Sequence, residues 1–161
     1  MPSYLDIENW KRKAQFYFFK DYDYPFFNIC TDVDVTSLVG YTKERNRSFF
    51  ITSLYLSLKT VNEIAEFRYR IRGNKVVVHE LIHGGSTVLN EDETFRFCYF
   101  AYHPTFKQFT REASRVLKQN PNTGRSLDPQ DERDDLIHYS MIPWISFTSF
   151  SHARRFHCSD S

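Results

Sequence analysis

Residues 67–85 read FRYRIRGNKVVVHELIHGG, and the conformation of this stretch decides the fold. Within it, His79-Glu80-Leu81-Ile82-His83 fits HExxH, in which two imidazoles one helical turn apart hold a zinc ion beside a glutamate base. That chemistry needs a helix. The flanking residues argue for strands: Gly73-Asn74 sits between two β-rich runs, a two-residue hairpin signal, and Val76, Val77 and Val78 carry the second run into His79. Gly84-Gly85 stops any helix directly after the second histidine. The longer pattern HExxHxxGxxH finds Ser86 and Leu89 at its last two positions. On a strand, His79 and His83 would share a face but lie roughly 13 Å apart, too far for one ion. The spacing therefore predicts a hairpin and no metal role, and a metalloprotease stands only as a distant alternative.

Working outward, Asn9 followed by WKRKAQFYFFK predicts a capped helix with Trp10, Ala14, Tyr17 and Phe18 on its inner face. FFNICTDVDV alternates, with Phe27, Ile29, Val33 and Val35 on one side, which predicts a strand. Thr36 and Ser37 can cap a short helix after it. FFITSLYLSLKTVNEIAEF repeats apolar residues at Phe50, Leu54, Leu58 and Val61, a helical period. Downstream of the hairpin, STVLN and FRFCYFAY read as strands. Pro104 opens a helix with Phe106, Phe109, Ala113, Val116 and Leu117 facing inward. NPNTGRSLDPQDERDD, residues 120–135, reads as a polar surface loop, and HYSMIPWISFTSF as the last strand. Hairpins mixed with helices give an α/β (mixed α+β) class, a mainly antiparallel or mixed sheet with helices packed on it.

The chain of 161 residues carries 21 basic and 20 acidic side chains, a net charge of +1. Such a balance gives no field to gather nucleic acid or anionic membrane. No apolar run approaches membrane-spanning length, and MPSYLDIENW lacks the plan of a signal peptide, so a cytoplasmic protein is expected. Aromatic residues make up 17%, a supply suited to a core and equally to an aromatic ligand pocket. Three cysteines without paired spacing, Cys30, Cys98 and Cys158, suggest free thiols, with Cys30 and Cys98 as small buried residues on strands.

NWKRKAQFYFF near the start, DETF in the middle and IPWISFTSF near the end occur in an order that resembles the chloramphenicol acetyltransferase family, CoA-dependent acyltransferases of mixed α/β fold. The likeness spans nearly the whole chain, residues 1–161 forming one such domain. It implies a homotrimer with active sites between subunits, acetyl-CoA as co-substrate, and a small hydroxylated acceptor. It also implies roles. Ser149, the second serine of SFTSF, would hydrogen-bond the tetrahedral oxyanion. Arg12 would pair with the aspartate of the family motif HHxxxDG, and Phe18 and Phe19 would lie beside the antibiotic. The chemistry suits these residue types: a hydroxyl nucleophile needs a base in histidine's range, and a fixed hydroxyl meets the charge that develops on the carbonyl oxygen.

Two departures bear on this. HHxxxDG does not occur in the sequence, and His157-Cys158-Ser159-Asp160 is one residue short and lacks the glycine. Phe19 stands where the family commonly has tyrosine, which leaves the acceptor open between chloramphenicol and another hydroxylated molecule. Two readings follow: an acetyltransferase domain lacking its C-terminal part and inactive alone, or a non-catalytic relative that keeps the fold for binding or oligomerisation.

Overall fold

In the computed structural model, residues 3–23, 27–119 and 133–148 are described. Two three-stranded sheets carry the helices. The first has the order β1-β3-β2, built from β1 (Ser3–Tyr4), β2 (Tyr69–Arg72) and β3 (Lys75–Val78), all antiparallel. The β2–β3 hairpin turns at Gly73-Asn74 with Arg72 opposite Lys75, and Gly73 adopts φ +58°, which glycine enters without steric cost. The second sheet has the order β5-β4-β6, from β4 (His83–Leu89), β5 (Phe95–Phe100) and β6 (Leu136–Tyr139). β4 pairs antiparallel with β5 and parallel with β6, so the class is mixed α/β.

The HELIH stretch is not a helix. His79 follows β3 and His83 begins β4, with a short loop between them. Asn62 clamps that loop: its Oδ1 accepts from the Ile82 N–H at 2.8 Å, and its Nδ2 donates to the Ile82 carbonyl at 2.9 Å. Arg68 holds the other end, donating from its guanidinium to the His79 carbonyl while its own carbonyl accepts from the His79 N–H.

Helix α3 (Phe49–Glu63) is the central prop. Ser48 caps it, its Oγ accepting from the Ile51 N–H at 3.3 Å. Leu54, Leu58 and Val61 of the expected stripe are buried together with Ile51 and Tyr55, while Phe50 is half-buried. Hydroxyls that would otherwise favour turns are satisfied one helical turn back, Thr52 on the Ser48 carbonyl and Ser53 on that of Phe49. Helix α4 (Phe106–Lys118) brings Phe109 and Ala113 against α3 and β5. The resulting core joins Ile51, Leu54, Tyr55, Leu58, Cys98, Phe100, Phe109 and Ala113. Rings dominate it, with Tyr55 5.1 Å from Phe106 and 5.5 Å from Phe109, and Phe50 5.8 Å from Phe100.

Several expectations are corrected. Helix α1 (Lys13–Phe19) is short and begins four residues after Asn9, whose amide instead bonds the Asp6 carboxylate. It buries no residue: Ala14, Tyr17 and Phe18 face solvent, and Phe16 is the residue that turns in. Seven residues cannot present a full apolar stripe, so the anchor is Trp10 ahead of the helix. Residues 27–35 alternate as a strand should, yet they pair with no described strand, and Phe27, Ile29 and Val33 are 85%, 77% and 71% exposed. Alternation sets which side each residue faces; a ladder also needs a neighbour. Cys30 on this segment is accordingly exposed, whereas Cys98 is buried on β5. Helix α2 (Thr36–Glu44) starts with Val35 at the cap position, and Asp34 Oδ1, not a threonine or serine hydroxyl, accepts from the Thr36 N–H. β6 starts two residues earlier than expected and stops at Tyr139, well before Pro143.

Candidate active site

The predicted site residues divide between two places. Trp10 packs edge-to-face on Tyr69 of β2, with ring centroids 6.3 Å apart, and lies 6.5 Å from Phe16. With that side of α1 committed to the sheet, Phe18 and Phe19 point away from it. Their rings meet at 4.9 Å and 89°, and the Tyr22 ring lies 5.5 Å from Phe18 and 5.3 Å from Phe19. Phe18 and Phe19 are 62% and 53% exposed, so neither is a core ring. Edge-to-face rings with open faces make a platform for a flat, electron-poor ring, and Tyr22 adds a phenol to it.

Arg12 sits at the opposite end of α1, in the cap position. Its Nη2 lies 3.3 Å from Glu66 Oε1 on the 3-10 turn Ala65–Arg68, with both side chains about half exposed. A pair so open to water adds little stability and leaves the guanidinium free to exchange partners. Ser149 lies outside the described residues.

The histidines of HELIH face the two aspartates just ahead of β6. Asp134 is gripped by Arg72 through two contacts, Nε to Oδ2 at 2.6 Å and Nη2 to Oδ1 at 2.8 Å. That hydrogen bonding holds its carboxyl below the ordinary carboxylate range. His79, buried, brings Nε2 within 3.1 Å of Asp134 Oδ1 without making a hydrogen bond to it. Arg133 holds Asp135 in the same bidentate way and lowers its carboxyl likewise. His83 accepts the Tyr102 N–H on Nδ1 at 2.9 Å and turns Nε2 toward Asp135 Oδ2, 3.9 Å away. Burial pushes the His83 imidazole below its usual value, against the pull of Asp135. Its lone pair is thus already in use and cannot take a proton from a substrate without breaking a backbone bond. Among the described residues, no three His, Cys, Asp or Glu side chains converge to hold a metal.

Two features escaped the sequence reading. Gly84-Gly85, read above only as a helix stop, are buried strand residues where neighbours approach closely. A Cβ on Gly84 would stand 3.1 Å from Leu58 Cδ1, and one on Gly85 would stand 3.0 Å from His138 Nδ1. A paired glycine opening a strand is the signal for such an approach. The other is Ser140, the exposed hydroxyl immediately after β6, two residues from His138 and so on the same side of the strand line. An open hollow on α2 and the α2–α3 turn, lined by Val39, Lys43, Arg47 and Phe49 among others, contains none of the candidates.

A solved structure of a chloramphenicol acetyltransferase superposes on 96% of this chain and 76% of its own length, with a TM-score of 0.87 and 33% sequence identity. The fold is therefore that of an acetyltransferase. The family model described as chloramphenicol acetyltransferase matches residues 3–154, and the chain belongs to that family. Among similar proteins, the chloramphenicol acetyltransferase of Proteus mirabilis is 28% identical over 148 residues, 91% of this chain and 68% of the relative. That of Bacillus pumilus is 25% identical over 145 residues, 89% of this chain and 66% of the relative.

Proposed function

We propose that this chain is an acetyl-CoA-dependent O-acetyltransferase domain whose acceptor is chloramphenicol or a related hydroxylated aromatic compound. The observation that carries the reading is the exposed Phe18–Phe19–Tyr22 ring cluster in a chain of this family. The aromatic part of the acceptor rests on the cluster; its hydroxyl gives its proton to a base and attacks the thioester carbonyl, and the tetrahedral intermediate breaks its C–S bond to leave the acetyl ester and CoA, whose thiolate takes up the proton. A serine hydroxyl at or after the end of β6 meets the resulting oxyanion, and Arg12 exchanges Glu66 for a carboxylate beside the base. Cytoplasmic location and assembly as a homotrimer belong to the same proposal. Among the described residues no helix is long and apolar enough to cross a membrane.

A second reading, binding without turnover, is favoured by the occupied lone pair of His83. The two separate in one assay series. Both expect chloramphenicol to bind, with Phe18→Ala and Phe19→Ala each weakening it by roughly 2–10-fold, the worth of an aromatic contact. Thiol release from acetyl-CoA by the 161-residue chain is expected at background, and turnover by it would refute the need for HHxxxDG. When the chain is joined to a segment carrying HHxxxDG, Ser149→Ala should lower kcat on the order of a hundredfold while KM barely moves. Ser140→Ala, run beside it, assigns the donor by which of the two loses rate; Ser146→Ala is the control. Failure of chloramphenicol to bind at all would remove the acceptor assignment.

A further inference from the structure

The contact between His83 and the backbone of Tyr102 has a chemical consequence independent of acetyl transfer. A neutral imidazole has one N–H and one lone pair; an imidazolium has two N–H groups and no acceptor. His83 spends its lone pair on the Tyr102 N–H at 2.9 Å. Its remaining N–H, on Nε2, faces Asp135. Tyr102 lies between β5 and α4, and its ring stacks on Tyr55 at 6.4 Å and 22°. Two residues on, the Pro104 carbonyl accepts from the Tyr55 hydroxyl at 2.8 Å, and Phe106 and Phe109 of α4 pack on the same ring. His83 therefore links the start of β4 to the segment that sets where α4 begins.

We infer that His83 is an acid-released joint: a proton added at Nδ1 breaks the Tyr102 N–H bond and loosens the β5–α4 connection from β4. The proton enters the Nδ1 lone pair, so two N–H groups then face one another and the backbone donor loses its acceptor. The groups that face His83 are Asp135 and Arg133 ahead of β6, His79 in the β3–β4 loop, and His103 on the β5–α4 connection. Asp135 favours the added proton; Arg133, His79 and His103 oppose it, as does burial, which is the largest influence. The proton therefore arrives at lower pH than on an ordinary histidine.

The test is amide exchange of the 161-residue protein read by NMR, corrected for the intrinsic pH dependence of exchange. Protection at Tyr102 should fall roughly tenfold between about pH 7.5 and about pH 5, the equivalent of losing one hydrogen bond. The Ile82 amide, held in the same loop by the non-titrating Asn62 Oδ1, should keep its protection. His83→Asn places an uncharged acceptor oxygen near the position of Nδ1, and in that variant the Tyr102 change should vanish. In case the variant does not fold, the Tyr102 amide-proton shift and the His83 ring-nitrogen shift in the unaltered protein should titrate with one midpoint. Constant Tyr102 protection across this range, the same loss in His83→Asn, or Tyr102 and His83 shifts with different midpoints would each overturn the inference.

Discussion

Asn62 does more for this fold than its polarity suggests. It lies on α3, yet it satisfies both backbone groups of Ile82, a fully buried residue, and also donates to the Leu58 carbonyl at 2.8 Å. Asn62→Ala would leave the Ile82 N–H and carbonyl buried without partners, each a loss of about 1–3 kcal/mol. Urea denaturation should show about 2–4 kcal/mol less stability, with an unchanged m-value. A loss below about 0.5 kcal/mol would mean that water replaces the clamp. The aspartates give a second expectation at this scale. The folded-state carboxyls of Asp134 and Asp135 lie below the ordinary 3.8, so the stability they lend is full above that value and is lost as pH falls through their lower folded values. His83 has the same sign higher up: its folded value lies below 6.5, so stability declines as pH drops beneath 6.5 and stops declining below the folded value. Melting temperature against pH should therefore fall in two stages, a mild one below neutrality and a steeper one in strong acid. Arg72→Gln should lower the melting temperature at neutral pH and make the lower stage shallower, because the folded-state carboxyl of Asp134 then lies closer to its ordinary value.

Among the elements, α3 and α4 were legible because their apolar residues recur at helical spacing and the spacing alone fixes the buried face. The Ser48 cap can be measured directly. Ser48→Ala should cost about 1 kcal/mol in thermal or urea unfolding, since the Ile51 N–H loses its acceptor, while Ser48→Gly should cost only a few tenths. Equal losses in the two variants would show that the hydroxyl does not act as the cap. The β2–β3 hairpin was legible from Gly73-Asn74, and the strand character around HELIH from three consecutive valines. Helix α1 was not, because its orientation is set by Trp10 meeting Tyr69 fifty-nine positions away in the chain, and no local period records that contact. Residues 27–35 show the same limit from the other side: their alternation is plain, but a strand exists only with a partner. Of the candidate site, the adjacency of Phe18 and Phe19 was readable from the motif. Their joint exposure and the third ring, Tyr22, emerged only once α1 had committed its other side.

At the scale of the whole molecule, apolar surface is the outstanding quantity. Phe18 and Phe19 on α1, Tyr22, Phe27, Ile29 and Val33 after it, and Trp144, Ile145 and Phe147 beyond β6 are all exposed. Exposed apolar side chains of this kind supply the area that the proposed association would bury. With a net charge of +1, charge repulsion does little to keep copies apart, and association among them would be driven by burial rather than by ion pairs. The homotrimer proposed from the family then has a specific signature. Sedimentation or light scattering should give a mass three times the 19.3 kDa of one chain. That mass should persist at about 1 M salt, where the screening length shrinks to about 3 Å and exposed ion pairs weaken. Replacing Phe27 and Ile29 together by serine removes exposed apolar area from a segment that pairs with no described strand. It should therefore shift the protein toward monomer while leaving the melting of the α3–α4 core nearly unchanged. A stable monomer in the unaltered protein would sink the trimer. Dissociation by salt alone would instead place the interface on charged residues, such as the Arg12–Glu66 pair, and would move the search for the assembled site to that end of α1.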